Sequence, residues 1–318
     1  MAKKYAFLFP GQGAQTQGMI KDIVEAFPEA KKVVDEVARI TGQDIQKLLW
    51  EMPQEELNRS DNSQLAITTA SLAIMAALKS KGIEPSCAMG FSLGEFPALY
   101  AAGILSFEDV IKVVVQRGKI MQEVCEKIAE ENQGNAPGML AVLGLPPEKV
   151  EEIAAGIEGA YAANLNSVKQ TVLAGTAEGL KKAEEAAKQA GARRAVKLAV
   201  AGPFHSPLMQ RAADNFKVAL EGFEFTDPSI PLFSNVTGKK VTEGKAAKLS
   251  AVDHLTHPVR WTDEEQVLAD LIKGDSENQW TVIEAGPGKV LSGLWGQTEF
   301  GAELPAVAVN TAEAINSL

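Results

Sequence analysis

Short apolar runs alternate with longer amphipathic stretches along almost the whole of this 318-residue chain, and that alternation restricts the fold more than any other feature. Strands that pair in parallel need a long crossover, and an amphipathic helix is the usual one, so the pattern predicts an α/β protein with a mainly parallel central sheet. Tyr5 to Phe9 reads as the first strand, stopped by Pro10 and a glycine-rich turn. Ala66 to Lys81 reads as a helix closing at Gly82 and Pro85, and Cys87 to Met89 as a short buried strand running into Gly90. Phe107 to Glu131 has a long helical pattern that Gly134 to Pro137 breaks.

Residues 138–200 differ in texture. Strand-like GMLAVLGL, helical PPEKVEEIAAGI, strand-like AYAANLNS and QTVLAGT, helical AEGLKKAEEAAKQAG and strand-like RRAVKLAV follow one another. That βαββαβ order is the ferredoxin-like arrangement. A small inserted domain is therefore expected over 130–200, with 1–129 and 201–318 forming the main domain.

A formal net charge of −10 argues against nucleic acid as partner, because neutralising phosphates requires a basic surface. Only a five-residue apolar run precedes Pro10, too short for a signal-peptide core, and no later stretch has the length of a membrane span. A cytoplasmic protein is expected, with no membrane contact. The two cysteines, Cys87 and Cys125, have neither metal nor redox spacing and suit a reducing compartment.

Gly90-Phe91-Ser92-Leu93-Gly94 fits G-x-S-x-G, in which a serine sits on a sharp turn between strand and helix. Both glycines are needed because the chain folds tightly beside the nucleophile. The required context is present: a strand before, and after it a helix over Glu95 to Ala102, with Pro97 near its first turn and Gly103 as its stop.

A serine hydroxyl needs a base, most often histidine. Of the three histidines, His205 lies between a predicted strand and a helix with Ser206 as expected cap and Pro207 as first residue. The positive end of that helix dipole would keep the imidazole neutral, as a base requires. A capping or packing role is the alternative. His254 and His257 lie in DHLTHPVRW, where Pro258 ends any helix that would align them, so no metal site is expected.

On the helix from Phe107, Val110, Val114, Arg117, Met121, Val124 and Ile128 share one face, and Arg117 is its only charged member. A buried guanidinium needs an anion. The partner is either an Asp or Glu of the protein or a carboxylate on the substrate, which the planar fork of arginine matches bidentately.

GQGAQTQG lacks the third glycine of a dinucleotide loop, with Thr16 in its place, and AGPGKVL lacks P-loop spacing. Beside an acylating serine, the turn after the first strand has another use: the Gln12 amide, with that of Leu93 after the nucleophile, can form an oxyanion hole. A plain tight turn is the alternative.

LFPGQGAQ, SQLAITTAS, GFSLGE, QRGKIMQ, GPFHSPLM, HPVRW and EAGPGKVL resemble, in order and across nearly the whole chain, the malonyl-CoA:acyl carrier protein transacylases and related acyltransferase domains of polyketide synthesis. The resemblance implies an α/β-hydrolase-like large domain, a ferredoxin-like small one, and an active site between them. It implies a ping-pong reaction in which Ser92 takes malonyl from coenzyme A and passes it to the phosphopantetheine thiol of acyl carrier protein, for fatty acid or polyketide synthesis. Ser92 would be the nucleophile, His205 the base and acid, Gln12 and Leu93 the oxyanion donors, and Arg117 the clamp on the malonyl carboxylate. Gln64, Phe91, Met121, Asn164 and Asn166 would line the substrate cleft.

No permanently bound cofactor is expected, the coenzyme A thioester being substrate. A monomer acting on a discrete carrier protein is expected, with Lys181, Lys182, Lys188, Arg193, Arg194 and Lys289 as candidates for docking it.

The chain departs from the family pattern at three positions. Phe91 stands where most relatives have histidine, His254 where glutamine is common, and His257 where asparagine or serine is usual. Because the third partner of the family's catalytic histidine is a backbone carbonyl near 254, a side-chain change at His254 need not disable His205, whereas Phe91 bears on acyl selectivity and rate. A thioester-hydrolysing serine enzyme and a non-catalytic carrier-binding member are the other readings.

Overall fold

A computed structural model describes residues 2–318. Among the described residues eight strands form two sheets: β1 (Lys3–Phe9), β2 (Cys87–Gly90), β3 (Gly138–Leu143), β4 (Ala160–Ser167), β5 (Gln170–Gly175), β6 (Arg194–Lys197), β7 (Gln279–Ala285) and β8 (Val307–Val309). The first sheet has order β2-β1-β7-β8 with all pairs parallel. Its inner strands are apolar because helices cover both faces. β2 is buried at every residue, as is β1 from Ala6 to Phe9.

The second sheet has order β4-β5-β3-β6 with all pairs antiparallel, and carries its own apolar cluster around Leu140, Val142, Leu173 and Leu180. The strand and helix order expected over 138–200 is present, although the last strand is shorter than RRAVKLAV suggests and leaves Leu198 to Val200 exposed. β4 of this second sheet is tied to the segment preceding Trp261 by a parallel bridge between Asn164 and Val259.

Four helices position the site: α1 (Ser60–Ser80), α2 (Glu95–Ala101), α3 (Phe107–Glu131) and α4 (Gln210–Ala219). α1 begins six residues before the expected Ala66, because its polar first turns are buried rather than solvated: Ser60, Ser63 and Gln64 have no exposure, and the Ser60 N–H is taken by Gln122 Oε1 at 2.9 Å. α3 has the expected bounds and starts on Ser106, whose hydroxyl accepts the Asp109 N–H, the usual N-cap arrangement.

Ser206 does not cap the helix after His205. A short 3₁₀ turn, Pro207–Met209, intervenes, and the Ser206 hydroxyl donates to the Pro203 carbonyl at 2.6 Å.

Candidate active site

β1 and β2 lie side by side in parallel with Phe9 opposite Gly90, so the turns after them open at the same sheet end. The carboxyl ends of adjacent parallel strands are where open α/β sheets bind ligands. Gln12 follows β1 and Ser92 follows β2, and both line one cavity of about 540 Å³, within the range of small-molecule sites.

Ser92 adopts a left-handed backbone, φ 52°, on a turn that only glycine permits at both flanks. A Cβ on Gly90 would stand 1.9 Å from the Gly94 carbonyl oxygen, and one on Gly94 would stand 1.9 Å from that of Phe9. The chain then enters 3₁₀ and α-helix from Ser92 onward.

The Ser92 hydroxyl lies 2.8 Å from His205 Nε2, and His205 Nδ1 lies 2.8 Å from the main-chain carbonyl of His254. A carbonyl only accepts, so Nδ1 carries the hydrogen and Nε2 presents its lone pair to the serine O–H. Burial first, and the Arg117 charge second, push His205 down from 6.5 to about 4. The imidazole is thus neutral over the physiological range, through burial and a cation instead of the helix dipole.

Arg117 is 1% exposed. Its Nη1–H donates to Gln64 Oε1 at 2.8 Å, while Nε and Nη2 have no partner, and no carboxylate lies within ion-pair distance among the described residues. Burial pulls its pKa down to about 10, opposed by the more distant Glu95, so the guanidinium remains charged near neutrality. α1 and α3 meet backbone to backbone beside it: a Cβ on Gly118 would come 2.8 Å from the Ser60 carbonyl oxygen. That approach lets Gln64 reach Arg117, and Gln64 Nε2 lies 3.2 Å from Met121 Sδ.

Phe91, Ser92, Arg117, Met121, Asn164, Asn166 and His205 all border the cavity with Gln12. Asn166 Oδ1 is buried without a partner. Phe91 packs edge-on against Trp261, centroids 5.4 Å apart. Gln64 is not on the cavity wall: it is wholly buried behind Arg117. Leu93 has its side chain in the core, 1% exposed. His254 turns its ring toward Asn235, whereas the exposed His257 ring bonds the Asp253 carbonyl at 2.8 Å, so the two rings do not converge.

Two buried groups beside the site carry no local sequence signal. Asn235, on a segment running beside β2 through a bridge between Ala88 and Leu232, contacts the serine turn. Glu95, 2% exposed, accepts the Asn235 main-chain N–H at 3.0 Å, and burial raises its pKa to about 7 against the opposing effects of that bond and Arg117.

The family model described as acyl transferase domain matches residues 6–291. A malonyl CoA-acyl carrier protein transacylase of Bacillus subtilis (strain 168) is 40% identical over 316 residues, covering 98% of this chain and 95% of that one. The enzyme of that name from Escherichia coli (strain K12) is 37% identical over 296 residues, 92% and 91% of the two chains. Among solved structures, an acyl carrier protein S-malonyltransferase from Vibrio cholerae superposes with a TM-score of 0.89 at 34% identity, covering 99% of both chains. A malonyl-transacylase in complex with its type II PKS acyl-carrier protein gives 0.89 at 36% identity, covering 99% of this chain and 98% of that one.

Proposed function

The chain belongs to the acyl transferase domain family, among its malonyl-CoA:acyl carrier protein transacylases, and we propose that it transfers malonyl through a covalent ester on Ser92. The observation that carries this reading is Arg117: a buried, charged guanidinium with two unpartnered nitrogens, bordering the same cavity as a hydrogen-bonded serine and histidine. A substrate carboxylate supplies the anion it lacks, and leaving that charge unpaired is costly.

His205 Nε2 takes the Ser92 proton as Oγ attacks the thioester carbonyl of malonyl-CoA. The oxyanion is stabilised by the amides of Gln12 and Leu93. The Ser92 amide is not free for that task, because it already donates to Asn235 Oδ1. Collapse expels coenzyme A, whose thiolate takes the proton from His205, and leaves malonyl esterified to Ser92 with its carboxylate on Arg117. The phosphopantetheine thiol of acyl carrier protein then gives its proton to His205 and attacks the ester. The second collapse returns that proton to Ser92 Oγ and releases malonyl carrier protein.

Met121, Asn164, Asn166 and Phe91 are read as substrate contacts, and Gln64 as the group that orients Arg117. No resident cofactor is invoked, and a monomer is taken as the working unit. Exposed Lys289 directly precedes Val290 of the cavity wall, and exposed Arg193 and Arg194 stand at the start of the strand that leads to Leu198 on that wall, charges suited to an acidic carrier. Lys182 and Lys188 are paired with Glu178 and Glu184 on their own helix. The parallel sheet order supports an α/β-hydrolase-like main domain, and the order β4-β5-β3-β6 supports a ferredoxin-like small domain over 130–200.

The experiment follows malonyl transfer to acyl carrier protein and free malonate release in one assay. Transfer well in excess of release is expected, and release to water alone would make the protein a thioester hydrolase.

A further inference from the structure

Asn235 does not border the cavity and has no exposure, yet its side-chain amide is fully bonded around the Ser92–His205 pair. Oδ1 accepts the Ser92 N–H at 2.6 Å and lies 2.9 Å from His254 Nε2. Nδ2 donates to the Gly90 carbonyl at 2.6 Å and to Glu264 Oε1 at 2.9 Å. The orientation is unambiguous, because the Ser92 N–H only donates and the Gly90 carbonyl only accepts. It also sets the His254 tautomer: Nε2 carries the hydrogen, and Nδ1 is left without a partner.

His254 faces both ways. Its ring donates to Asn235, and its main-chain carbonyl accepts Nδ1–H of His205. One amide therefore grips the serine turn on both sides of Phe91, at Gly90 and at Ser92, and fixes the ring of the residue that orients the base. The main chain of Asn235 is tied as well, its N–H to Glu95 and its carbonyl to the Arg260 N–H at 2.9 Å.

We infer that Asn235 is the positioning residue that holds Ser92 in its left-handed backbone and couples that turn to His205 through His254. This inference rests on the reading of Ser92 as the acylated residue. Without the amide, nothing in the bonding just described holds the Ser92 N–H, and the turn is free to relax to negative φ, where a serine is at ease. The hydroxyl then leaves the line to Nε2, while Arg117, the clamp on the acyl carboxylate, lies on α3 and keeps its bond to Gln64. The effect belongs to kcat and not to KM.

The test uses the full chain with Asn235→Ala, Asn235→Asp and His254→Ala, each checked for folding by circular dichroism and assayed for malonyl transfer to acyl carrier protein. Asn235→Ala is expected to lower kcat roughly 100-fold, the size of a misplacement of about 1 Å, with KM for malonyl-CoA within about threefold. Asn235→Asp keeps the acceptor for Ser92 and, protonated among its buried carboxyl neighbours, a donor for Gly90, so it is expected to regain about tenfold or more of that loss. His254→Ala keeps the carbonyl that receives His205 and is expected to lose roughly tenfold.

Folded His254→Ala or Asn235→Ala with kcat within about twofold of the parent overturns the inference, as does a loss expressed in KM alone or an aspartate variant no better than alanine. A parent protein that takes no malonyl on Ser92 overturns the acyl-enzyme reading instead. A labelled parent with an equally fast-labelling Asn235→Ala overturns only the role of Asn235.

Discussion

Ser92 Oγ and His205 Nε2 lie 2.8 Å apart, and both residues hold left-handed backbones, φ 52° and 59°. Such a conformation costs a non-glycine residue roughly 1–3 kcal/mol, and bonds from distant groups meet both residues: Asn235 Oδ1 at the Ser92 amide and the His254 carbonyl at the His205 ring. The proposed nucleophile and base are thus brought together by tertiary contacts as much as by the local turn.

Arg117→Ala is expected to cut malonyl transfer at least tenfold, since a hydrogen bond to a charged group contributes about 1.5–3 kcal/mol. Acetyl transfer, which offers no carboxylate, should fall less. Parallel kinetics with malonyl-CoA and acetyl-CoA decide the matter, and equal losses would make the arginine structural.

Phe91→His places a polar ring where the cavity now has an apolar one against Trp261. The malonyl-over-acetyl preference is expected to rise by a few-fold, the worth of one hydrogen bond of about 0.5–1.5 kcal/mol. Thermal stability should drop slightly as the aromatic pair is weakened. An unchanged preference would show that the ring at 91 does not read the acyl group.

The pH profile should carry the signature of a buried base. His205 must be neutral to accept the serine proton, and its pKa is about 4, so kcat/KM with acetyl-CoA should hold as pH falls past 6.5 and decline only toward about 4. Removing the charge in Arg117→Ala should move that limb upward. A limb at 6.5 in the parent would contradict the assignment.

Glu265 supplies a test on stability. It is 2% exposed, Oε2 has no partner, and burial raises its pKa from 4.5 to about 8 despite the Trp261 N–H bond. Between those values the folded state keeps a proton that the unfolded chain has released, so stability is full below 4.5 and is lost as pH rises toward about 8. Glu265→Gln removes that loss. Its Tm advantage over the parent, followed by calorimetry, should grow with pH across this window, and a constant difference would refute the linkage.

Local pattern made much of this legible from the sequence. The G-x-S-x-G turn, the bounds of α3 and the arginine on its apolar face follow from spacing alone, since strand, turn and helix signals act over a few residues. The buried start of α1 was hidden because Ser60, Ser63 and Gln64 look like solvated residues until Gln122 and Arg117 are brought to them. Asn235 was hidden for the same reason, its bonds to Gly90 and Ser92 spanning 145 and 143 residues. Ser206 had the right residue type for a cap, but the 3₁₀ turn after it drew its hydroxyl back to Pro203.

The central claim is the Ser92 ester, and intact-protein mass spectrometry after brief exposure to malonyl-CoA tests it most directly. The parent protein should gain a single malonyl group that peptide mapping assigns to Ser92, that acyl carrier protein removes, and that Ser92→Ala never acquires. Catalytically competent protein that shows no adduct, or one on another residue, would contradict the account.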